Sequence, residues 1–257
     1  MARDGWSPGD YQRFAADRRR PFEDLLSLLG PLPDGPRRLL DVGCGTGELT
    51  VVAHRRLGAE ASVGVDASPE MLARAEVHEG VSFLLAAVPE GLPSGPFEVI
   101  VSNSALNWVP DHPAVLAALA SRLAPGGQLA IQMPFNPGSA FVGCCAEVAA
   151  TQDFAAELGG SRYESPVLAP EAYARQLERL GFDEIRAGAW LYPQRHASVE
   201  GLVDFARGGL LSAYRGRLAP ERFEAFVAAY RAALARELGP GPVFFPFQRV
   251  LAWGRRR

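Results

Sequence analysis

The stretch Arg37 to Gly47, RRLLDVGCGTG, limits what this chain can fold into more than any other. Leu39, Leu40 and Val42 make a short apolar run of the kind that forms a strand buried on both faces of a parallel sheet. Gly43, Gly45 and Gly47 follow at alternate positions. Glycine takes positive φ at no steric cost and lets another group approach the backbone closely. From Glu48 the spacing becomes helical, with Leu49, Val52, Ala53 and Leu57 on one face. Strand, glycine-rich turn and helix open a nucleotide-binding α/β unit, whose helix start offers free N–H groups to an anionic or polar part of a ligand. The turn is not the GxGxxG dinucleotide fingerprint, because its glycines are spaced GxGxG and Asp41 stands two residues before the first.

A second acid falls where such a unit needs one. Ala61 to Asp66, ASVGVD, is another short apolar strand, ending in a carboxylate about 20 residues beyond the glycines. An ionised carboxylate only accepts hydrogen bonds and has two oxygens, so Asp66 can take both hydroxyls of a ribose. It also fits as a cap or turn residue before Ser68-Pro69, and the two roles are compatible.

The turn D-V-G-C-G-T-G followed by D-A-S-P-E-M-L-A-R-A resembles the class I S-adenosylmethionine methyltransferases. The resemblance implies an α/β fold, a Rossmann-like parallel sheet of about seven strands with helices on both faces. It implies S-adenosylmethionine as cofactor and S-adenosylhomocysteine as product. It assigns Asp41, Gly43, Cys44, Gly45 and Asp66 to cofactor binding, with Ala67 and Met71 flanking the adenine. Met71 equally fits ordinary helix packing.

At 257 residues, 48% of them apolar, the chain can build one large α/β domain with an insertion. A net charge of −3 without a basic block implies no nucleic-acid partner. Three cysteines, Cys44, Cys144 and Cys145, make neither a disulfide framework nor a zinc pattern, so no metal is expected. The opening MARDGWSPGD has no apolar signal core, and no uncharged apolar run reaches membrane length. We expect a soluble cytoplasmic protein, a monomer or weak homodimer, with no membrane partner.

Tyr11, Phe14, Phe22, Leu25, Leu26 and Leu29 suggest amphipathic helices, stopped by Pro31-Leu-Pro-Asp-Gly-Pro36. Residues 1–36 are expected to form a helical cap segment over the cofactor, with Arg18 or Arg20 near the methionine carboxylate. Residues 37–136 carry the cofactor-binding core. Its helix Pro69–Val77, strand Val81–Leu85, strand Phe97–Ser102, helix Asp111–Ala124 and strand Gln128–Met133 alternate as βαβ units do. Ligands of such sheets lie beyond the carboxyl ends of the strands, which adds Val88 and Asn103 to the cofactor candidates. Residues 137–196 are expected to complete the core, with helices Ser139–Leu158 and Pro170–Leu180 and a strand Ile185–Tyr192. Residues 197–240 hold two amphipathic segments, around Val199–Phe205 and Phe223–Tyr230, far more than a hairpin needs, and read as a helical cap insertion. Residues 241–257 supply a closing strand.

A narrower resemblance covers nearly the whole chain. W-S-P-G-D-Y-Q-R-F, R-R-R-P-F-E-D-L-L, S-N-S-A-L-N-W-V-P-D-H-P, L-A-P-G-G-Q-L-A-I-Q-M-P and the P-F-Q-R of Pro246–Arg249 resemble the trans-aconitate 2-methyltransferases. A segment similar to S-N-S-A-L-N-W-V-P-D is also found in malonyl-carrier-protein methyltransferases, and both families esterify carboxylates. Three positions depart from the pattern. The aspartate that holds the adenine amino group is Ala87 here, leaving the backbone beside Val88 for adenine. In the insertion a threonine becomes Gly209 and an arginine becomes Ser212, which removes a bidentate partner for a carboxylate.

These features fit methyl transfer to a small-molecule carboxylate. A carboxylic acid with a pKa of about 4 is already ionised at neutral pH and needs no general base, so no catalytic residue is assigned. Arg207, Arg249 and Arg195 are the candidates to neutralise substrate charge, and Trp108, Phe135 and Tyr192 to wall the substrate. Each also fits a plainer role, as a surface ion pair or as core packing. His112, before Pro113 at a helix start, reads as structural. A hydroxyl or amine acceptor would instead need a base, for which His112 or His196 is available. Such an acceptor, a carrier-bound malonyl group, and a cofactor-binding protein without catalysis are the alternatives.

Overall fold

The computed structural model describes residues 15–32, 35–160 and 163–257, so the helix expected around Tyr11 and Phe14 lies outside the described residues. In chain order the elements are α1 (Ala15–Ser27), β1 (Arg38–Val42), α2 (Glu48–Leu57), β2 (Ala61–Asp66), α3 (Pro69–Leu72), β3 (Val81–Leu85), β4 (Phe97–Asn103), a 3-10 turn (Leu106–Trp108), α4 (His112–Ala120), β5 (Leu123–Pro134), α5 (Ala140–Ala149), α6 (Gln152–Ala155), α7 (Pro170–Arg179), β6 (Phe182–His196), α8 (Val199–Arg207), α9 (Ser212–Arg215), α10 (Pro220–Leu238) and β7 (Val243–Arg256). They fall into two compact units, one built on Ala16–Phe135, Ser165–Trp190 and Arg249–Arg257, the other on Asn136–Glu164 and Leu191–Gln248. Among the described residues no helix is long and apolar enough to cross a membrane.

A seven-stranded sheet in the order β3-β2-β1-β4-β5-β7-β6 organises the first unit. β1 to β5 pair in parallel, and β7 pairs antiparallel with β5. Successive strand residues point to opposite faces, and both faces here are covered. Leu39, Val99, Val101 and Ala130 pack with Phe22, Leu25 and Leu26 of α1 and Ala53 of α2. Leu40, Val42, Ile100, Leu129 and Ile131 pack with Val115, Leu116 and Leu119 of α4 and with Tyr173 and Leu177 of α7. That is why β1 reads as a continuous apolar run and not an alternating one.

Residues 15–32, the described part of the expected cap segment, pack on the sheet. Phe22 and Leu25 are fully buried, so α1 is one of the layers of the α/β unit. The linker after it is held by the fully buried Gln128, whose Oε1 accepts from Gly30 N (2.8 Å) and Trp253 Nε1 (2.9 Å). The Gln128 amide nitrogen donates to the carbonyls of Gly30 (3.1 Å) and Pro31 (3.2 Å). All four hydrogen-bonding positions of this side chain are thereby used.

The helical unit is larger than the expected insertion 197–240. Residues 137–160 belong to it as well, because α5 presents Phe141, Cys144, Cys145 and Val148 at helical spacing to the same aromatic core as Phe226 and Tyr230 of α10. Tyr230 donates its hydroxyl to Phe141 O at 2.9 Å, and Tyr163 N donates to the Tyr214 hydroxyl at 2.9 Å. The helix expected over 139–158 is broken into α5 and α6, and that expected over 69–77 stops at Leu72.

Candidate active site

The strand order reverses between β1 and β4, and in open α/β sheets a ligand crevice lies beyond the carboxyl ends at such a point. After β1 the chain turns through Gly43, Gly45 and Gly47 at φ 76°, 58° and 76°, left-handed values that favour glycine. Gly43 N and Cys44 N both donate to Val65 O (2.7 and 3.0 Å), which folds the turn back against β2. A Cβ on Gly43 would stand 2.0 Å from that of Ala105, so the turns after β1 and β4 touch with no room for a side chain.

Asp66 ends β2 and holds this turn. Its Oδ2 accepts from Gly45 N at 2.8 Å and its Oδ1 from Ser68 N at 2.9 Å. Each oxygen keeps a further lone pair for a ligand hydroxyl. The cap of α3 is Ser68, whose hydroxyl accepts from Met71 N at 3.3 Å, so the side-chain cap expected of Asp66 falls to its neighbour.

Asp41 lies inside β1, 2% exposed, and accepts from Thr50 Oγ1 at 2.6 Å. Burial pushes its carboxyl up to about 6, Thr50 opposes the shift and the charge of Asp66 adds to it. Cys44 is buried against Gly64, where an added Cβ would lie 2.9 Å from its sulfur. Burial, then Asp41 and Asp66, push its thiol well above the usual range.

The carboxyl end of β4 carries a buried polar cluster. Arg249 of β7 pairs with Pro134 at the end of β5 and is 3% exposed. Its Nη1 donates to Ser104 Oγ (2.8 Å) and Gln132 Oε1 (3.1 Å). Gln132, fully buried, donates in turn to Asn103 Oδ1 and to Ser104 Oγ (2.9 Å). Ser104 itself takes φ 58°, a strained value for a residue with a side chain. The 3-10 turn that follows is fixed by Asn107, whose amide nitrogen donates to Ser104 O (2.9 Å) and whose oxygen accepts from Trp108 Nε1 (2.9 Å). Trp108 is 39% exposed.

His112 supports the same turn from behind. Its Nε2 faces the Leu106 carbonyl at 3.0 Å, so Nε2 carries the proton and Nδ1 accepts from the Tyr173 hydroxyl. Burial lowers its pKa. With both nitrogens occupied, His112 is structural, as its place in the sequence suggests.

The other candidates are placed as follows. Ala67 is exposed beside Asp66, and Met71 is buried on α3. Val88 and Phe135 are half-buried against the core that contains Leu40 and Ile131. Arg20 is exposed on α1, across the helix from Phe22, Leu25 and Leu26. Tyr192 and Arg207 belong to the helical unit. There Arg207 forms a two-bond fork with Glu224 (2.9 and 2.7 Å), the surface ion pair that is its plainer role. Ser212 donates to Gly209 O at 2.6 Å. Ser104 and Gln132 were not singled out by the sequence. The available signal was a glutamine in an otherwise apolar central strand, which requires a buried partner.

A methyltransferase domain family matches residues 14–192. A trans-aconitate 2-methyltransferase of Deinococcus radiodurans is 37% identical over 255 residues, covering 96% of each chain. The chain belongs to the S-adenosylmethionine-dependent methyltransferases. A second trans-aconitate 2-methyltransferase, from Streptomyces avermitilis, is 36% identical over 260 residues, covering 96% of this chain and 95% of its own. The methyltransferase fold is shared with a Geobacter sulfurreducens enzyme solved with S-adenosyl-L-homocysteine, at TM-score 0.53 and 18% identity, covering 99% of this chain and 95% of that one. The geometry fits the cofactor of this methyltransferase. Asp66 has spare acceptor positions for a diol, the turn beside it is backbone only, and Asp41 is a buried acid whose ionisation a cationic ligand would favour.

Proposed function

We propose that this methyltransferase esterifies a carboxylate of a small polycarboxylic acid of the trans-aconitate type. The observation that carries the reading is Arg249, a guanidinium buried at the carboxyl ends of β4 and β5 that donates to Ser104 and Gln132. A guanidinium at the carboxyl ends of the strands puts positive charge and N–H donors where an acceptor carboxylate would lie. The relatives named above, trans-aconitate 2-methyltransferases at 36–37% identity, support the same substrate class.

S-adenosylmethionine, when bound, supplies an electrophilic methyl group on a sulfonium. Asp66 would hold the two ribose hydroxyls, Ala67 and Met71 would hold the adenine, and the backbone beside Val88 would serve it as well. The N–H groups from Gly43 to Gly45 and the charge of Asp41 serve the amino-acid end and the positive charge. The acceptor carboxylate arrives ionised, so no residue has to remove a proton. Trp108 and Phe135 wall the acceptor and exclude water, and Arg249 fixes its orientation. Alignment of this kind supplies several kcal/mol, up to about 7–11 in favourable intramolecular cases.

A hydroxyl or amine acceptor is the second reading, favoured by Gly209 and Ser212 standing where the resembling family carries threonine and arginine. Release of S-adenosylhomocysteine with trans-aconitate above a no-acceptor blank is the expected result. Intact S-adenosylmethionine binding without release on any carboxylate overturns the proposal and turns the search to hydroxyls and amines.

A further inference from the structure

The cluster under Ser104 has a direction, and Arg249 sets it. A guanidinium only donates. Gln132 therefore meets Arg249 with its oxygen, at 3.1 Å, and must turn its amide nitrogen the other way. That nitrogen donates to Asn103 and Ser104, so the Asn103 oxygen is committed as an acceptor. Turning either amide over would set donor against donor. Ser104 Oγ accepts twice, from Arg249 at 2.8 Å and from Gln132 at 2.9 Å, which uses both of its lone pairs.

Two hydrogen-bond donors are left over at the end of β4. The Ser104 hydroxyl hydrogen and the Asn103 amide nitrogen have no acceptor among the described residues, although Asn103 is only 9% exposed. Both donors are reachable from outside the protein, so an acceptor oxygen of a ligand can meet them in place of water. Resting on the function proposed above, the geometry points to Ser104 and Asn103 as the residues that grip the acceptor carboxylate. Arg249 acts through them, as the cation that fixes their polarity. The site then takes an oxygen that is purely an acceptor, and it holds an ionised carboxylate more tightly than the neutral carbonyl of an ester, because a charged acceptor makes the stronger hydrogen bond. It also moves Asn103 from the cofactor set to the acceptor set.

The test is calorimetric titration of trans-aconitate, and separately of its uncharged trimethyl ester, into the protein saturated with S-adenosylhomocysteine. Neither mixture turns over. Wild type should bind the trianion more tightly than the ester. Ser104→Ala should weaken trianion binding about 10-fold or more and Asn103→Asp about 100-fold, the cost of losing a charge-assisted bond and of reversing its polarity. A cooperative thermal melt like that of wild type is the check that each variant keeps the fold, and a loss of S-adenosylhomocysteine affinity in Asn103→Asp would return Asn103 to the cofactor set and overturn the inference. Asp at 103 still accepts from Gln132, so this variant decides the matter if Ser104→Ala is damaged.

Trianion binding at wild-type strength in both variants, or equal binding of ester and trianion, overturns the inference. If wild type methylates trans-aconitate while both variants bind it normally, the donor pair is wrong and the proposed function stands. If wild type binds the trianion but forms no ester with S-adenosylmethionine, the donor pair stands and the reaction is wrong. Absence of any trianion binding by wild type overturns both.

Discussion

Gly45 donates its backbone N–H to Asp66 Oδ2 at 2.8 Å, so the carboxylate after β2 holds the glycine turn after β1 in place. Asp66→Ala removes a ligand acceptor and this tie together. S-adenosylmethionine affinity should fall by about 1–3 kcal/mol, roughly 5–150-fold, as expected for lost charge-assisted hydrogen bonds. Calorimetry returning the wild-type constant would take Asp66 out of the cofactor site.

Asp41 makes the ligand-free protein pH-sensitive. Its carboxyl is raised from 3.8 to about 6, chiefly by burial. Below about pH 4 it is protonated in both folded and unfolded chains and costs nothing. Between about pH 4 and 6 only the unfolded chain ionises freely, so stability falls as pH rises, and above that the full cost of roughly 3 kcal/mol is present. Asp41→Asn should therefore melt higher than wild type at pH 7.5, with the difference vanishing towards pH 4. Equal melting temperatures at pH 7.5 would show that the carboxylate is already compensated.

Gln128 predicts the opposite kind of effect, large on stability and small on function. Gln128→Ala leaves the Trp253 indole N–H and the backbone groups of Gly30 and Pro31 without their partner in a fully buried setting. The loss should be about 3–5 kcal/mol by denaturant unfolding. Cofactor affinity below the transition should stay near that of wild type. A loss under about 1 kcal/mol would mean that water replaces the amide.

Much of the α/β unit is legible in the sequence because its strands are buried on both faces. Ala61–Asp66 and Val81–Leu85 are read to the residue. An apolar run closed by glycine or an acid has no other good fate. Amphipathic helices are less legible. The stripe of Phe22, Leu25 and Leu26 says that one face of α1 is covered, not that the sheet covers it. The stripe of α5 likewise does not say that Phe226 and Tyr230 cover it. Side-chain pairings across long separations are invisible. Arg207 pairs with Glu224, 17 residues on, and nothing in either neighbourhood announces it. Gln132 meets Arg249 across 117 residues, so neither partner announces the other.

Arg249→Met tests the cation alone. The acceptor KM should rise about 10–100-fold, as for loss of a charged hydrogen-bonding partner, while cofactor affinity holds. An effect confined to the melting temperature would return Arg249 to a structural role.

The pH profile tests the absence of a general base. His112 is neutral and occupied on both nitrogens, so it adds no ionisation near neutrality. With trans-aconitate, kcat/KM should be flat from about pH 6.5 to 8.5. A rising limb with a histidine-like midpoint would favour a hydroxyl or amine acceptor.

β7 comes after every other strand in the chain yet is seated between β5 and β6. During synthesis the β5 edge therefore stays open until β7 has left the ribosome, and β6 must wait with no neighbour in the sheet. Residues 136–164 and 191–242 of the helical unit are translated within that interval. A nascent chain stalled before Val243 exposes a long apolar strand edge, the feature from which intermolecular strand pairing starts. Premature termination near the carboxyl end should thus yield aggregates and not a shorter working enzyme.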